Sequence, residues 1–130
     1  MKKEILVCKI KKESLDFLLN ASKKTYPDEF IAVLEGTKEN DYVLIDAVTV
    51  PPFSEGDEDE SSFSEGFLPP MPRFVGVFHS HPNSTNEPSD ADLETFSKGL
   101  VHLIARDPFV FKNVAAYNND GTKVHLEIIK

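Results

Sequence analysis

RFVGVFHSHPNSTNEPSDAD, residues 73–92, carries the reading of the fold and of the chemistry together. Phe74 to Phe78 is a short apolar run, the composition of a buried strand. Pro82 then turns the chain, a polar loop follows, and Ser89 stands where a helix would take its N-cap. Side chains two apart on an extended chain point the same way, so His79 and His81 can converge on one point. With Ser89 as cap, Asp92 falls at the third helical position. Two readings of Asp92 stand at this stage. It either lies in the first helical turn for the sake of the helix dipole, or folds back towards the two imidazoles. In the second case two nitrogens and one carboxylate oxygen leave a fourth tetrahedral position open, as in catalytic zinc sites, where bound water reaches a pKa of about 7.

Working outward, Glu4 to Ile10 alternates as a first strand, with Leu6, Cys8 and Ile10 on one buried face. Ser14 reads as the N-cap of a helix whose apolar stripe is Leu15, Leu18 and Leu19 and which ends before Pro27. EFIAVLEG (29–36) and DYVLIDAVTV (41–50) are strand-like, joined by a hairpin at TKEN (37–40). Residues 53–72 change character: five acids fall within Glu55 to Glu60, Glu65 adds a sixth, and prolines and glycines punctuate the run. This is a long acidic surface insertion. It is either a solvated loop or, through Phe53, Phe63, Phe67, Leu68 and Met71, a substrate or homodimer contact.

Downstream, a helix is expected from Ser89 through Asp90, Asp92, Leu93 and Phe96 to near Gly99, with Asp90 serving the helix dipole. LVHLIA, FVFKNVAAYN and TKVHLEIIK then read as strands, with a turn at Asn119-Asp120-Gly121. Phe109, Phe111 and Val114 are expected in the core, and His102 and His125 are expected to be structural. The order of elements predicts one α/β domain over residues 1–130, a mixed sandwich rather than a doubly wound parallel sheet.

Composition sets limits on function. Fourteen basic against 22 acidic residues leave a net charge of −8, which argues against nonspecific binding of nucleic acid. No apolar run approaches the roughly 20 residues that span a bilayer. The run Ile5 to Cys8 is also too short for a signal sequence, so a cytoplasmic protein without membrane attachment is expected. The single cysteine allows neither an intrachain disulfide nor a cysteine-rich zinc site.

HSHP, six further residues, then Ser89-Asp90-Ala91-Asp92 resembles the signature of the JAMM (MPN-plus) zinc metalloproteases, H-[S/T]-H-P-x6-S-x-x-D with a glutamate upstream. The resemblance covers nearly the whole chain, the acidic insertion least. It implies an MPN (JAB/JAMM) fold, related to that of cytidine deaminases, with a mixed β-sheet sandwiched by helices. It also implies one catalytic Zn2+ on His79, His81 and Asp92, with Ser89 stabilising the oxyanion and a glutamate carrying protons. Glu29 and Glu35 share the same parity in their strand, so alternation does not separate them. The family's Pro-x-Glu pattern, met here as Pro27-Asp28-Glu29 before Ala32-Val33-Leu34 and Gly36, favours Glu29 as base. Ser80 is expected to point away from the ligands and to hydrogen-bond locally.

The function that this resemblance implies is that of a compact prokaryotic isopeptidase. Its substrate would be a ubiquitin-like β-grasp modifier, released from lysine conjugates or linear fusions. C-terminal processing of a sulfur-carrier protein by the same site is the alternative within the family, and a non-catalytic MPN scaffold the alternative outside enzymology. A nucleoside deaminase is disfavoured, because its cysteine ligands are missing.

Overall fold

The computed structural model describes residues 5–50, 72–83, 85–90, 92 and 99–130. Strand β1 (Val7–Lys11) runs without a loop into helix α1 (Lys12–Thr25). Lys11 keeps extended angles and caps the helix with backbone alone, so Ser14 is not the N-cap: it lies inside the helix, buried. A strand that feeds directly into a helix leaves no loop residue for a side-chain cap to occupy. The apolar stripe falls as expected: Leu15, Leu18, Leu19 and Ser22 are buried, and α1 packs on β1, β3 and β7. Glu13 in the first turn and Lys23 and Lys24 in the last complement the helix dipole.

Cys8 and Ile10 are buried, but Leu6 is 55% exposed. Its N–H donates to the Asp41 carbonyl at 2.7 Å just before β1 begins, so alternation starts at Val7 and Ile5 takes the buried place. β2 (Ile31–Glu39) and β3 (Tyr42–Thr49) form a hairpin whose loop is Asn40-Asp41, not TKEN. Thr37 to Glu39 stay in the ladder because Asn40 takes a left-handed φ of 46°, which lets the chain reverse in two residues.

β4 (Phe74–His81) lies between β2, antiparallel, and β5 (Val101–Arg106), parallel. The parallel pairing is close: a Cβ on Gly76 would stand 1.6 Å from the Val101 carbonyl oxygen, so a side chain is excluded there. Parallel neighbours require a crossover, and here the crossover is the segment that carries Ser89 and Asp92. It leaves from the end of β4, where His79 and His81 sit. β6 (Val114–Asn118) and β7 (Lys123–Ile129) follow as an antiparallel pair across the turn at Asn119-Asp120-Gly121.

β1 pairs in parallel with both β3 and β7, and this joins the two ends of the sheet into a closed barrel, β1-β3-β2-β4-β5-β6-β7. Among the described residues the sheet thus closes on itself, with α1 packed on β1, β3 and β7, rather than lying open between two helical layers. Among the described residues α1 is the one complete helix, and a second is entered at Asp90 and Asp92. Phe109 is buried ahead of β6, and Val114 opens that strand against the core. Phe111 is not a core strand residue: it is 39% exposed in a 3-10 turn, Phe111–Asn113. The buried Asn113 amide donates to the Pro108 carbonyl at 2.7 Å and folds that segment back on itself. The acidic insertion, with Phe53, Phe63, Phe67, Leu68 and Met71, lies outside the described residues, as do Leu93 and Phe96. No helix among the described residues is long and apolar enough to cross a membrane.

Candidate metal centre

Three parts of the chain meet at the end of β4. The turn after α1, closed by the Asp28 N–H on the Thr25 carbonyl at 2.8 Å, delivers Glu29 to the start of β2. β2 pairs with β4 from Ile31 opposite His79, which sets Glu29 beside the histidines. The crossover then returns Asp92 to the same place. Asp92 reaches both rings: its Oδ1 is 3.3 Å from His79 Nδ1 and its Oδ2 is 3.2 Å from His81 Nε2. Glu29 Oε2 stands 3.8 Å from that same His81 Nε2. His79 and Asp92 are buried, and Glu29 is partly so.

Ser89 and Asp92 hold each other reciprocally. The Asp92 N–H donates to Ser89 Oγ at 3.1 Å, and the Ser89 N–H donates to Asp92 Oδ2 at 2.9 Å. This is a capping box closed with aspartate. The Ser89 hydroxyl accepts within it, so its own hydrogen is free to be donated elsewhere. The dipole reading and the fold-back reading of Asp92 are thus both realised by one carboxylate. Asp90 is exposed in the same first turn.

The loop between β4 and Ser89 is tied down on both sides. Asn86 donates to the Asn113 carbonyl at 3.0 Å, and the Tyr117 hydroxyl donates to the Asn86 carbonyl at 2.8 Å. The loop fixes the state of His81, whose Nδ1 lies 3.1 Å from the Thr85 carbonyl. A carbonyl only accepts, so Nδ1 carries a hydrogen there. In the neutral ring the Nε2 lone pair then faces the Asp92 carboxylate at 3.2 Å. Two lone pairs so placed repel unless a proton or a metal cation lies between them. Both nitrogens of His79 and Glu29 Oε1 are buried without a hydrogen-bond partner.

The charges respond accordingly. Burial pushes His79 down to about 4, so its ring is neutral, the form in which imidazole binds metal. Burial also pulls His81 down, but the Asp92 hydrogen bond and charge, the Thr85 carbonyl and Glu29 outweigh it, and its pKa is raised. Burial would raise Asp92, yet the His81 hydrogen bond, the neighbouring His79 ring when protonated and the Ser89 amide bring it down to about 2. Glu29 is raised to about 7, chiefly by burial, with His81 pulling down and Asp92 pushing up. Two imidazoles and one carboxylate form a donor set that zinc takes, and a pre-oriented Nδ1–H on a carbonyl is the usual support of such a ligand. Among the described residues these groups touch one another rather than standing around a common point at coordination geometry.

The other candidates lie elsewhere. Glu35, further along β2, accepts from the Thr49 hydroxyl at 2.8 Å. His102 is buried in β5 opposite Val77 and Tyr117, and His125 is exposed on β7. Ser80 does point away from the histidines, but its bond is not local: its Oγ accepts from the N–H of Phe30, fifty residues upstream, at 2.7 Å. Thr85, Asn86 and Tyr117 went unnoticed in the sequence, because two of them act through backbone carbonyls that any residue carries.

Known proteins repeat this arrangement of strands. The family described as prokaryotic homologs of the JAB domain matches residues 11–119. A "Probable metalloprotease" of Haloferax volcanii is 32% identical over 124 residues, covering 90% of this chain and 76% of that protein. A JAB1/MPN domain protein from Archaeoglobus fulgidus superposes with a TM-score of 0.72 at 32% identity, over 94% of this chain and 99% of that one. A structure described as "JAMM: A Metalloprotease-like Zinc Site in the Proteasome and Signalosome" matches with a TM-score of 0.72 at 30% identity, over 95% and 99% of the two chains. With the family matched from β1 to the turn after β6, this chain belongs to the JAB/JAMM (MPN) family, in its prokaryotic branch.

Proposed function

We propose that the chain is a zinc-dependent metallopeptidase that hydrolyses the amide bond joining a ubiquitin-like β-grasp modifier to a lysine or to a following peptide. The observation that carries this reading is the convergence of His81 Nε2 and His79 Nδ1 on the two oxygens of the Asp92 carboxylate, at 3.2 and 3.3 Å, with both His79 nitrogens buried and without a hydrogen-bond partner. His79, His81 and Asp92 would hold the ion. When bound, zinc acidifies water and polarises the scissile carbonyl.

The chain's own residues supply the rest. Glu29, whose carboxylate stands 3.8 Å from His81 Nε2, takes the proton of the attacking water as its oxygen bonds to the carbonyl carbon. The Ser89 hydroxyl, with its hydrogen unused in the capping box, donates to the oxyanion that forms. When the C–N bond breaks, Glu29 returns the proton to the leaving amine. The names of the Haloferax and JAMM relatives support the peptidase chemistry. The modifier as substrate rests on the resemblance of the motif.

Incubating the zinc-loaded protein with β-grasp conjugates and linear fusions, followed by mass spectrometry, tests the reading. Cleavage at the modifier's C-terminus, abolished by a chelator and restored by zinc, is expected. A protein that binds zinc and cleaves neither kind of substrate contradicts the substrate assignment, and a folded protein that takes no zinc contradicts the whole of it.

A further inference from the structure

Ser80 sits between the two site histidines and is fully buried. Two hydrogen bonds tie it to Phe30. The Ser80 N–H donates to the Phe30 carbonyl at 2.9 Å, and the Phe30 N–H donates to Ser80 Oγ at 2.7 Å. The regular β2–β4 register begins one residue later, at Ile31 opposite His79. At Phe30 a side-chain hydroxyl therefore does what a strand carbonyl would do further on. The Phe30 ring is held as well, with its centroid 6.1 Å from that of Phe78.

Glu29 is the next residue back, and among the described residues its Oε1 is buried without a hydrogen-bond partner. The position of its carboxylate near His81 depends on where the backbone of Phe30 is pinned. We infer that Ser80 is a positioning residue for Glu29: its hydroxyl locks the residue that leads into β2 so that the carboxylate stands at the metal-binding face of β4. The serine between the histidines thus couples two parts of the site, the proton carrier ahead of β2 and the imidazoles on β4. This rests on the assignment of Glu29 as proton carrier. A misplacement of about 1 Å in such a group costs on the order of a hundredfold in rate.

The test has two arms, and the first needs neither zinc nor substrate. Amide hydrogen exchange on the metal-free protein compares wild type with Ser80→Ala and Ser80→Thr. In Ser80→Ala the Phe30 amide is expected to exchange about tenfold faster or more, the scale of one lost buried hydrogen bond, with Ile31 to Val33 unchanged. Ser80→Thr, which keeps the acceptor, restores protection. The second arm follows turnover of a linear β-grasp fusion by the zinc-loaded proteins. Ser80→Ala lowers kcat by roughly tenfold to a hundredfold at unchanged KM and zinc content, and Ser80→Thr recovers it. Where Ser80→Ala does not fold, Ser80→Cys, close in size and a poor acceptor, carries the same expectations. An unchanged Phe30 amide overturns the inference, and so does an unchanged kcat or a loss of activity that follows loss of zinc. If the wild type holds zinc and cleaves no fusion, the substrate reading fails by itself, and the exchange arm decides the role of Ser80.

Discussion

The two faces of β4 follow opposite rules. Phe78 looks inward to an apolar core that includes Leu15, Leu18, Ile10 and Leu103. His79 and His81 look outward to Glu29 and Asp92, where buried polar atoms stand without hydrogen-bond partners. Fold stability resides on the first face and chemistry on the second. Natural cores leave few buried polar groups unsatisfied, so a cluster of them marks a place kept for something other than stability.

That division predicts that substitutions on the two faces separate stability from activity. The largest effect is expected from Glu29→Gln, which keeps the shape and removes the proton carrier. It should lower kcat by about 10²–10⁴-fold while zinc content and melting temperature stay at wild-type values. An active Glu29→Gln protein would move the base elsewhere. Next comes the core: Leu18→Ala, at a fully buried position of α1, should cost about 2–5 kcal/mol in denaturant unfolding. Zinc bound per folded molecule should not change, and a loss of zinc at full folding would break the separation.

Cys8 probes the same core by pH. Burial pushes its thiol from 9.0 to about 12, so the folded protein holds the proton that the unfolded chain releases. Its contribution to stability is whole below about 9 and is lost as pH rises from there towards 12. The stability gap between wild type and Cys8→Ala should therefore shrink over that range, and a gap that widens would contradict it. Smallest of all is the Lys12–Asp16 pair on the exposed side of α1, 2.9 Å apart. Lys12→Ala should change stability by about 0.5 kcal/mol or less and leave turnover untouched.

Local pattern and motif spacing made much of this legible. The stripe of α1, the strands around Ala32, Val43 and Phe78, and the convergence of His79, His81 and Asp92 all follow from periods and intervals along the chain. The misreadings share a physical cause, which is that they depend on partners far away in sequence. Barrel closure requires β1 to pair with both β3 and β7, and nothing in VCKIK announces two parallel neighbours. Leu6 turned outward because its amide went to Asp41, and Phe111 because Asn113 folded its segment towards Pro108. Ser80 was seen as facing away from the site, but its partner fifty residues upstream was out of reach of any local rule. The choice between Glu29 and Glu35 needed the motif, since parity alone treats them alike. In the structure Glu29 lies just ahead of β2, beside His81, and Glu35 lies midway along it, on Thr49.

The claim on which all the rest depends is that His79, His81 and Asp92 form a zinc centre. Its most direct test is metal analysis of wild type and Asp92→Asn, purified from zinc-supplemented medium and dialysed against metal-free buffer. About one zinc per chain in the wild type, and none in a folded Asp92→Asn protein, is the expected result. Wild-type protein that is folded and free of zinc, or an Asp92→Asn variant that retains it, would contradict the assignment.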